Sequence, residues 1–166
     1  MSERLQKNAG QNSGISQAVR PVEVILSNEY ASKAIAFIRE AKNEIFICAY
    51  AWRWYENEPE IGIQQLNVAI MQAKARGVRV RALVDGHKVF EFVKKLGIDC
   101  RYVERNRMLH AKAICIDNKT LIVGSHNLTK RANNDNIEIS VALQDVDTIL
   151  QFNTYFQKIW DVSRES

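Results

Sequence analysis

Residues 44–85 read EIFICAYAWRWYENEPEIGIQQLNVAIMQAKARGVRVRALVD. Glu44 to Trp52 is apolar on both faces, as a strand in the middle of a sheet must be, and is far shorter than the run of about 20 apolar residues that spans a membrane. Ile63, Leu66, Ile70 and Ala73 then recur at helical spacing, and Gly77 stands where a left-handed helix end favours glycine. Val78 to Asp85 is a second apolar run. Strand, helix and strand in this order form a unit of parallel sheet with the helix packed on its face.

The pattern continues outward in both directions. Upstream, Val22 to Leu26 reads as a strand and Tyr30 to Ala41 as a helix with Ala34, Phe37, Ile38 and Ala41 on one stripe, capped by Ser27 or Asn28. Downstream, Lys88 to Leu96 reads as a helix closed by Gly97, and Asp99 to Val103 as a short strand. Two β-rich runs follow, His110 to Ile116 and Thr120 to Val123, separated by the turn formers Asp117, Asn118 and Lys119, which is hairpin spacing. Ile137 to Leu143 reads as a strand, and the last helix carries Val146, Ile149, Leu150, Phe156, Ile159 and Trp160 on its apolar side. The expected fold class is α/β, a mixed β-sheet, parallel in its first half and flanked by helices on both faces. Residues 1–20, rich in Gln, Asn, Ser and Gly, read as a flexible leader, and residues 21–166 as one domain.

A chain of 166 residues suits one hydrophobic core, and 46% hydrophobic with 25% charged residues is globular composition. The net charge of +4 suits a phosphate-bearing partner without requiring one. Lys74, Arg76, Arg79 and Arg81 read as solvated surface charges, whereas Arg101, Arg105 and Arg107 lie just ahead of His110. Cys48, Cys100 and Cys115 have neither CxxC nor zinc spacing and read as reduced structural thiols. No metal or other cofactor is expected. No signal-peptide core or membrane-spanning run is visible, so the expected location is the cytoplasm, with no membrane partner.

Residues 110–127, HAKAICIDNKTLIVGSHN, place His110, Lys112, Asp117, Gly124, Ser125 and Asn127 at the spacing H-x-K-x4-D-x6-G-S-x-N. Side chains two apart on a strand share a face, so His110 projects with Lys112, and Ser125 with Asn127 if their segment stays extended. One imidazole, one ammonium, one hydroxyl and one amide are thereby offered to a common point. Asp117 has the opposite parity and sits at the hairpin turn, which makes it structural. Six fixed positions match by chance at on the order of 10⁻⁸ per start site. His87 and His126 read as ordinary core or surface histidines.

This pattern resembles the signature of the phospholipase D superfamily, whose members cleave or exchange phosphodiesters in lipids and nucleic acids. The single motif and the chain length resemble its bacterial endonuclease (Nuc-like) subgroup. The resemblance implies that His110 attacks phosphorus to give a phosphohistidine, splitting the displacement into two in-line steps. Lys112 and Asn127 would hold the phosphate oxygens, and Ser125 would add a hydrogen bond. Glu138, at about the family's distance after the asparagine and set in an apolar run where a carboxylate needs a partner, is the expected orienting acid for the imidazole. Asp135 is the second candidate for that role.

Long family members carry two motifs, one histidine attacking while the other protonates the leaving group. This chain carries one, which implies a homodimer with a single active site on its two-fold axis. Nucleic acid is the expected substrate, with Lys130, Arg131, Arg53 and Trp54 as candidate contacts. Two readings of Trp52-Arg53-Trp54-Tyr55 stand side by side, base stacking and half-buried packing. The competing functions are a phospholipase D-type lipid phosphodiesterase, a non-catalytic nucleic-acid-binding subunit, and the DNA-cutting module of a larger restriction or repair assembly.

Overall fold

A computed structural model describes residues 22–104 and 107–165. The leader at 1–20, Pro21 and Arg105 lie outside the described residues. Among the described residues seven strands form one sheet: β1 (Val22–Leu26), β2 (Glu44–Ala49), β3 (Arg79–Asp85), β4 (Asp99–Val103), β5 (Ala113–Ile116), β6 (Thr120–Gly124) and β7 (Ile139–Leu143), in the order β1-β7-β6-β5-β2-β3-β4. β2, β3 and β4 are parallel, and every other pairing is antiparallel. The expected mixed α/β sheet is present. β1, however, is not in the parallel half: it crosses to the far edge and pairs antiparallel with β7, Val24 opposite Val141.

The helices are α1 (Tyr30–Glu40), α2 (Gly62–Ala75), α3 (Gly86–Lys95), α4 (Lys130–Asn134) and α5 (Val146–Val162). α1, α2 and α3 bury Ile38, Leu66, Ile70 and Val93 with Ile45, Ile47 and Ile114 on one face of the sheet. α5 packs Ile149, Phe156 and Trp160 on Phe46, Leu83 and Leu121 of the other. Val146 and Leu150, expected on the apolar side of α5, are exposed; the stripe that packs runs through Ile149, Phe152, Phe156 and Trp160. The three cysteines are free and buried, and burial pushes each thiol up to about 12. No helix among the described residues is long and apolar enough to cross a membrane.

Local chemistry sets several element ends. Gly77 takes φ +93° after α2, a conformation open to glycine. Neither Ser27 nor Asn28 caps α1: both lie in a 3₁₀ turn, and Glu29 occupies the cap position without a side-chain bond. The expected solvated cluster is partly structural. Arg76 donates to the Ile38, Arg39 and Ala41 carbonyls that end α1, Arg79 pairs with Glu44, and Arg81 lies 4.4 Å from the Phe46 ring centroid. At the hairpin tip Asp117 and Asn118 take φ of 51° and 55°, which Asp and Asn tolerate. The Asp117 carboxylate accepts the backbone N–H groups of Lys42 and Asn43 at 2.8 Å and of Glu44 at 2.9 Å, tying the turn to the start of β2. Burial alone would raise that carboxyl, but the three N–H bonds and Lys119 outweigh it and hold it below the ordinary range.

Candidate active site

The carboxyl ends of parallel strands are where open α/β sheets place ligands, and four chain segments meet there. His110 and Lys112 enter β5 from this end, Ser125 and Asn127 leave β6 at it, Glu138 enters β7 from it, and Tyr50 leaves β2. His110, Lys112, Gly124, Ser125, Asn127 and Glu138 line one cavity of about 430 Å³. Two of the expected strands begin late. β5 starts at Ala113 instead of His110, and the ladder continues only through the Gly124 N–H to the Lys112 carbonyl at 3.3 Å. β7 starts at Ile139, so Glu138 precedes the strand instead of lying inside it. Its apolar neighbours face outward, Ile137 being 96% exposed.

Lys112 is 8% exposed. Its ammonium donates to the His110 carbonyl at 2.7 Å and sits 5.1 Å from the Tyr50 ring centroid. Burial lowers its pKa while Glu138 opposes that effect. Two of its three donors are left for an anion in the cavity. The exposed His110 ring lies 5.0 Å from the Tyr50 ring. Tyr50 thus touches both motif groups, although nothing in the spacing announces it beyond its place directly after an apolar strand.

The Asn127 Oδ1 accepts the Ala51 N–H at 3.3 Å. That contact demands oxygen on this side of the amide and turns the amide nitrogen, a donor, toward the cavity. The Ser125 hydroxyl accepts the Ile139 N–H at 3.1 Å. Its single proton has two acceptors, the Ile139 carbonyl at 3.3 Å and the Glu138 carboxylate. Burial would raise the Glu138 carboxyl, yet bonds from Ser125 and Asn136, with His126 and Lys112 nearby, keep it below the ordinary range. The Glu138 carboxylate accepts from Asn136 at 2.8 Å, and among the described residues no hydrogen bond joins it to the His110 ring. Asp135 is exposed at the end of α4.

Gly124 is a matter of space: a Cβ there would stand 2.3 Å from the Ser140 hydroxyl and 2.4 Å from the Ile139 carbonyl oxygen. Between Ser125 and Asn127, His126 is 1% exposed and stacks on Tyr30 at 4.4 Å. Its Nε2 lies 2.9 Å from the Ser27 carbonyl and its Nδ1 2.8 Å from the Ser140 hydroxyl. A carbonyl only accepts, so Nε2 carries the proton and Nδ1 accepts from Ser140. His126 therefore pins the Ser125–Asn127 segment to the Ser27 turn and to β7. Burial lowers its pKa, with Ser27 and Glu138 opposing. As pH falls through the ordinary histidine range, the unfolded chain gains a proton that the folded chain resists, so stability is full above that range and declines below it. Urea midpoints at pH 8 and pH 5 should differ less in His126→Asn than in the wild type.

The other candidates are placed differently. Lys130 is already paired with Glu58, and its N–H donates to the Tyr55 hydroxyl at 2.8 Å. Arg131 is exposed on α4, a five-residue helix that the periodicity missed because its signal is only the Thr129 cap accepting the Ala132 N–H at 3.3 Å. Neither lines the motif cavity. Arg53 and Trp54 line a neighbouring one. Arg101 turns away to the Trp160 carbonyl and Glu165.

Residues 34–160 match the family model described as cardiolipin synthase, PLD-like domain. The chain belongs to the phospholipase D-like family. A mouse (Mus musculus) mitochondrial cardiolipin hydrolase is 26% identical over 148 residues, covering 85% of this chain and 62% of that protein. The chain thus spans about three-fifths of that relative's length. Two solved structures share the phospholipase D-like fold. Nuc from Salmonella typhimurium has a TM-score of 0.70 at 24% identity, covering 86% of this chain and 97% of that one. NucT from Helicobacter pylori has a TM-score of 0.69 at 20% identity, covering 86% and 96%.

Proposed function

We propose that the protein is a metal-independent phosphodiesterase that hydrolyses nucleic acid, DNA or RNA, through a phosphohistidine formed on His110. The observation that carries this is the convergence of His110, Lys112, Ser125, Asn127 and Glu138 on one cavity. The attacking imidazole nitrogen forms a bond to phosphorus as the ester oxygen leaves, and water then displaces the imidazole. Lys112 and the Asn127 amide nitrogen neutralise the non-bridging oxygens, the task a metal performs elsewhere. Ser125 and Glu138 fix each other at the rim of the cavity.

The leaving oxygen needs a proton donor, and among the described residues the cavity contains one histidine. A second copy of the chain would supply the other. Beside the site, Val22, Val24 and Leu26 of β1 and Ile139 of β7 are each half or more exposed on the sheet face that carries α5. Among the described residues nothing covers this strip, and an open apolar edge of this kind favours a partner. A symmetric homodimer closes both the strip and the chemistry.

A second reading is lipid phosphodiester cleavage, favoured by the name of the cardiolipin hydrolase relative and by the same apolar strip. One experiment separates the two. Single-stranded DNA, duplex DNA, RNA and cardiolipin-containing phosphatidylcholine vesicles are each incubated with the protein in excess EDTA. Cutting of a polynucleotide is expected; a strict magnesium requirement, or release of phosphatidic acid from the vesicles alone, would overturn the reading.

A further inference from the structure

The chain that leaves β2 passes directly from the motif cavity into a second one. Tyr50 faces His110, the Ala51 N–H holds Asn127, and the Arg53 N–H donates to the Leu128 carbonyl at 3.0 Å. Ala51 to Tyr55 then form one wall of a cavity of about 380 Å³, and Lys88, Val89 and Phe92 of α3 form the other. Positions 88, 89 and 92 share one face of their helix. Trp54 is four positions beyond Tyr50, a reach of at most about 14 Å even fully extended.

The three aromatics of this loop are not equivalent. Trp52 is buried and its indole N–H donates to Asn67 at 2.8 Å, so it is a core residue. Tyr55 packs against the core and its hydroxyl accepts the Lys130 N–H at 2.8 Å. Trp54 belongs to neither hydrophobic cluster, is half-buried, and its indole N–H has no partner among the described residues. A large aromatic face left unpacked beside a phosphate site, with the exposed cations Arg53 and Lys88 at its edges, has the features of a base-stacking platform with its phosphate clamps. Ligand cavities range from about 300 to 1,000 Å³, and this one, at the small end of that range, has room for a nucleobase.

We propose that this cavity is a subsite for a single unpaired nucleobase one nucleotide away from the scissile phosphate, with Trp54 as the stacking face and Arg53 and Lys88 holding the flanking phosphate. The proposal rests on the nuclease reading and narrows its substrate to single-stranded nucleic acid. A base locked in a duplex cannot lay its face on Trp54, so paired substrate is excluded by geometry and not by the motif.

The test uses the full chain with end-labelled single-stranded oligonucleotides that carry one abasic nucleotide, moved stepwise along the sequence, and a duplex control. Cleavage should fall about tenfold at the one linkage that stands at a fixed offset from the abasic position, and duplex should be cut far more slowly than single strand. Trp54→Ala should raise KM by a similar factor and erase the offset dependence, Trp54→Phe should keep it, and Lys88→Ala should raise KM without erasing it. Uniform cutting past the abasic nucleotide, or duplex cut as fast as single strand, would overturn the subsite while leaving the nuclease reading intact. Hydrolysis of cardiolipin vesicles with no oligonucleotide cut would remove the nuclease reading and the subsite with it.

Discussion

His110→Ala should abolish hydrolysis, with a loss on the order of 10⁴-fold or more, since it removes the proposed nucleophile while the Ser125 proton is held by the Ile139 carbonyl and Glu138, and the Lys112 ammonium has no lone pair. The ring is exposed and touches the Tyr50 ring without a buried hydrogen bond of its own, so its removal leaves the core untouched. The thermal midpoint should therefore shift little while the rate collapses, and that combination separates a chemical from a structural role. Substrate affinity, measured as the Kd of a single-stranded oligonucleotide, should change far less than the rate, because Lys112 and Asn127 still hold the phosphate. Denaturing gel electrophoresis of 32P-labelled intermediates provides the direct check: a brief acid-sparing quench should trap label on the wild-type chain and none on the variant. Labelled wild type with an unchanged rate in His110→Ala would move the nucleophile elsewhere.

How far the sequence reaches into this site depends on whether a relation is local. His110 with Lys112 and Ser125 with Asn127 are two apart in extended backbone, so their common face follows from strand geometry. The place of Asp117 in a turn was legible for the same reason, but its partners, the backbone N–H groups of Lys42, Asn43 and Glu44, lie 75, 74 and 73 positions away and were not. The relations that fix the site's finer geometry are long-range. Ala51 and Asn127 are 76 positions apart, His126 bonds Ser27 across 99, and no period or cap announces either. β1 could not be placed because sheet order is a property of crossovers, and a strand followed by a helix looks the same whether it joins the parallel half or the far edge. Glu138 illustrates the remaining gap. Its apolar neighbours suggested a buried strand, but Ile137 and Ile139 face out, so the apolar run marks the surface and not the core.

Disrupting that surface gives the second large effect. Val24→Asp places a carboxylate at the centre of the exposed strip formed by Val22, Val24, Leu26 and Ile139, where solvent tolerates it in one chain but a second copy would have to bury it unpaired. The variant should fold, sediment as a monomer and lose activity on the order of 10³-fold, because the acid for the leaving oxygen departs with the partner. Mixing experiments test the shared site without altering the apolar strip. When wild-type chains are refolded with an equal amount of His110→Asn, random pairing puts about half of the wild-type chains beside an inactive partner. Activity per wild-type chain should then fall to about half, and to about a tenth with a tenfold excess of the variant. Activity per wild-type chain that stays constant at every ratio would mean that each chain holds a complete site, and a monomeric Val24→Asp with full turnover would mean the same. Loss of activity in Val24→Asp with no change in sedimentation would instead assign the strip to substrate contact. The two measurements together therefore locate the missing proton donor.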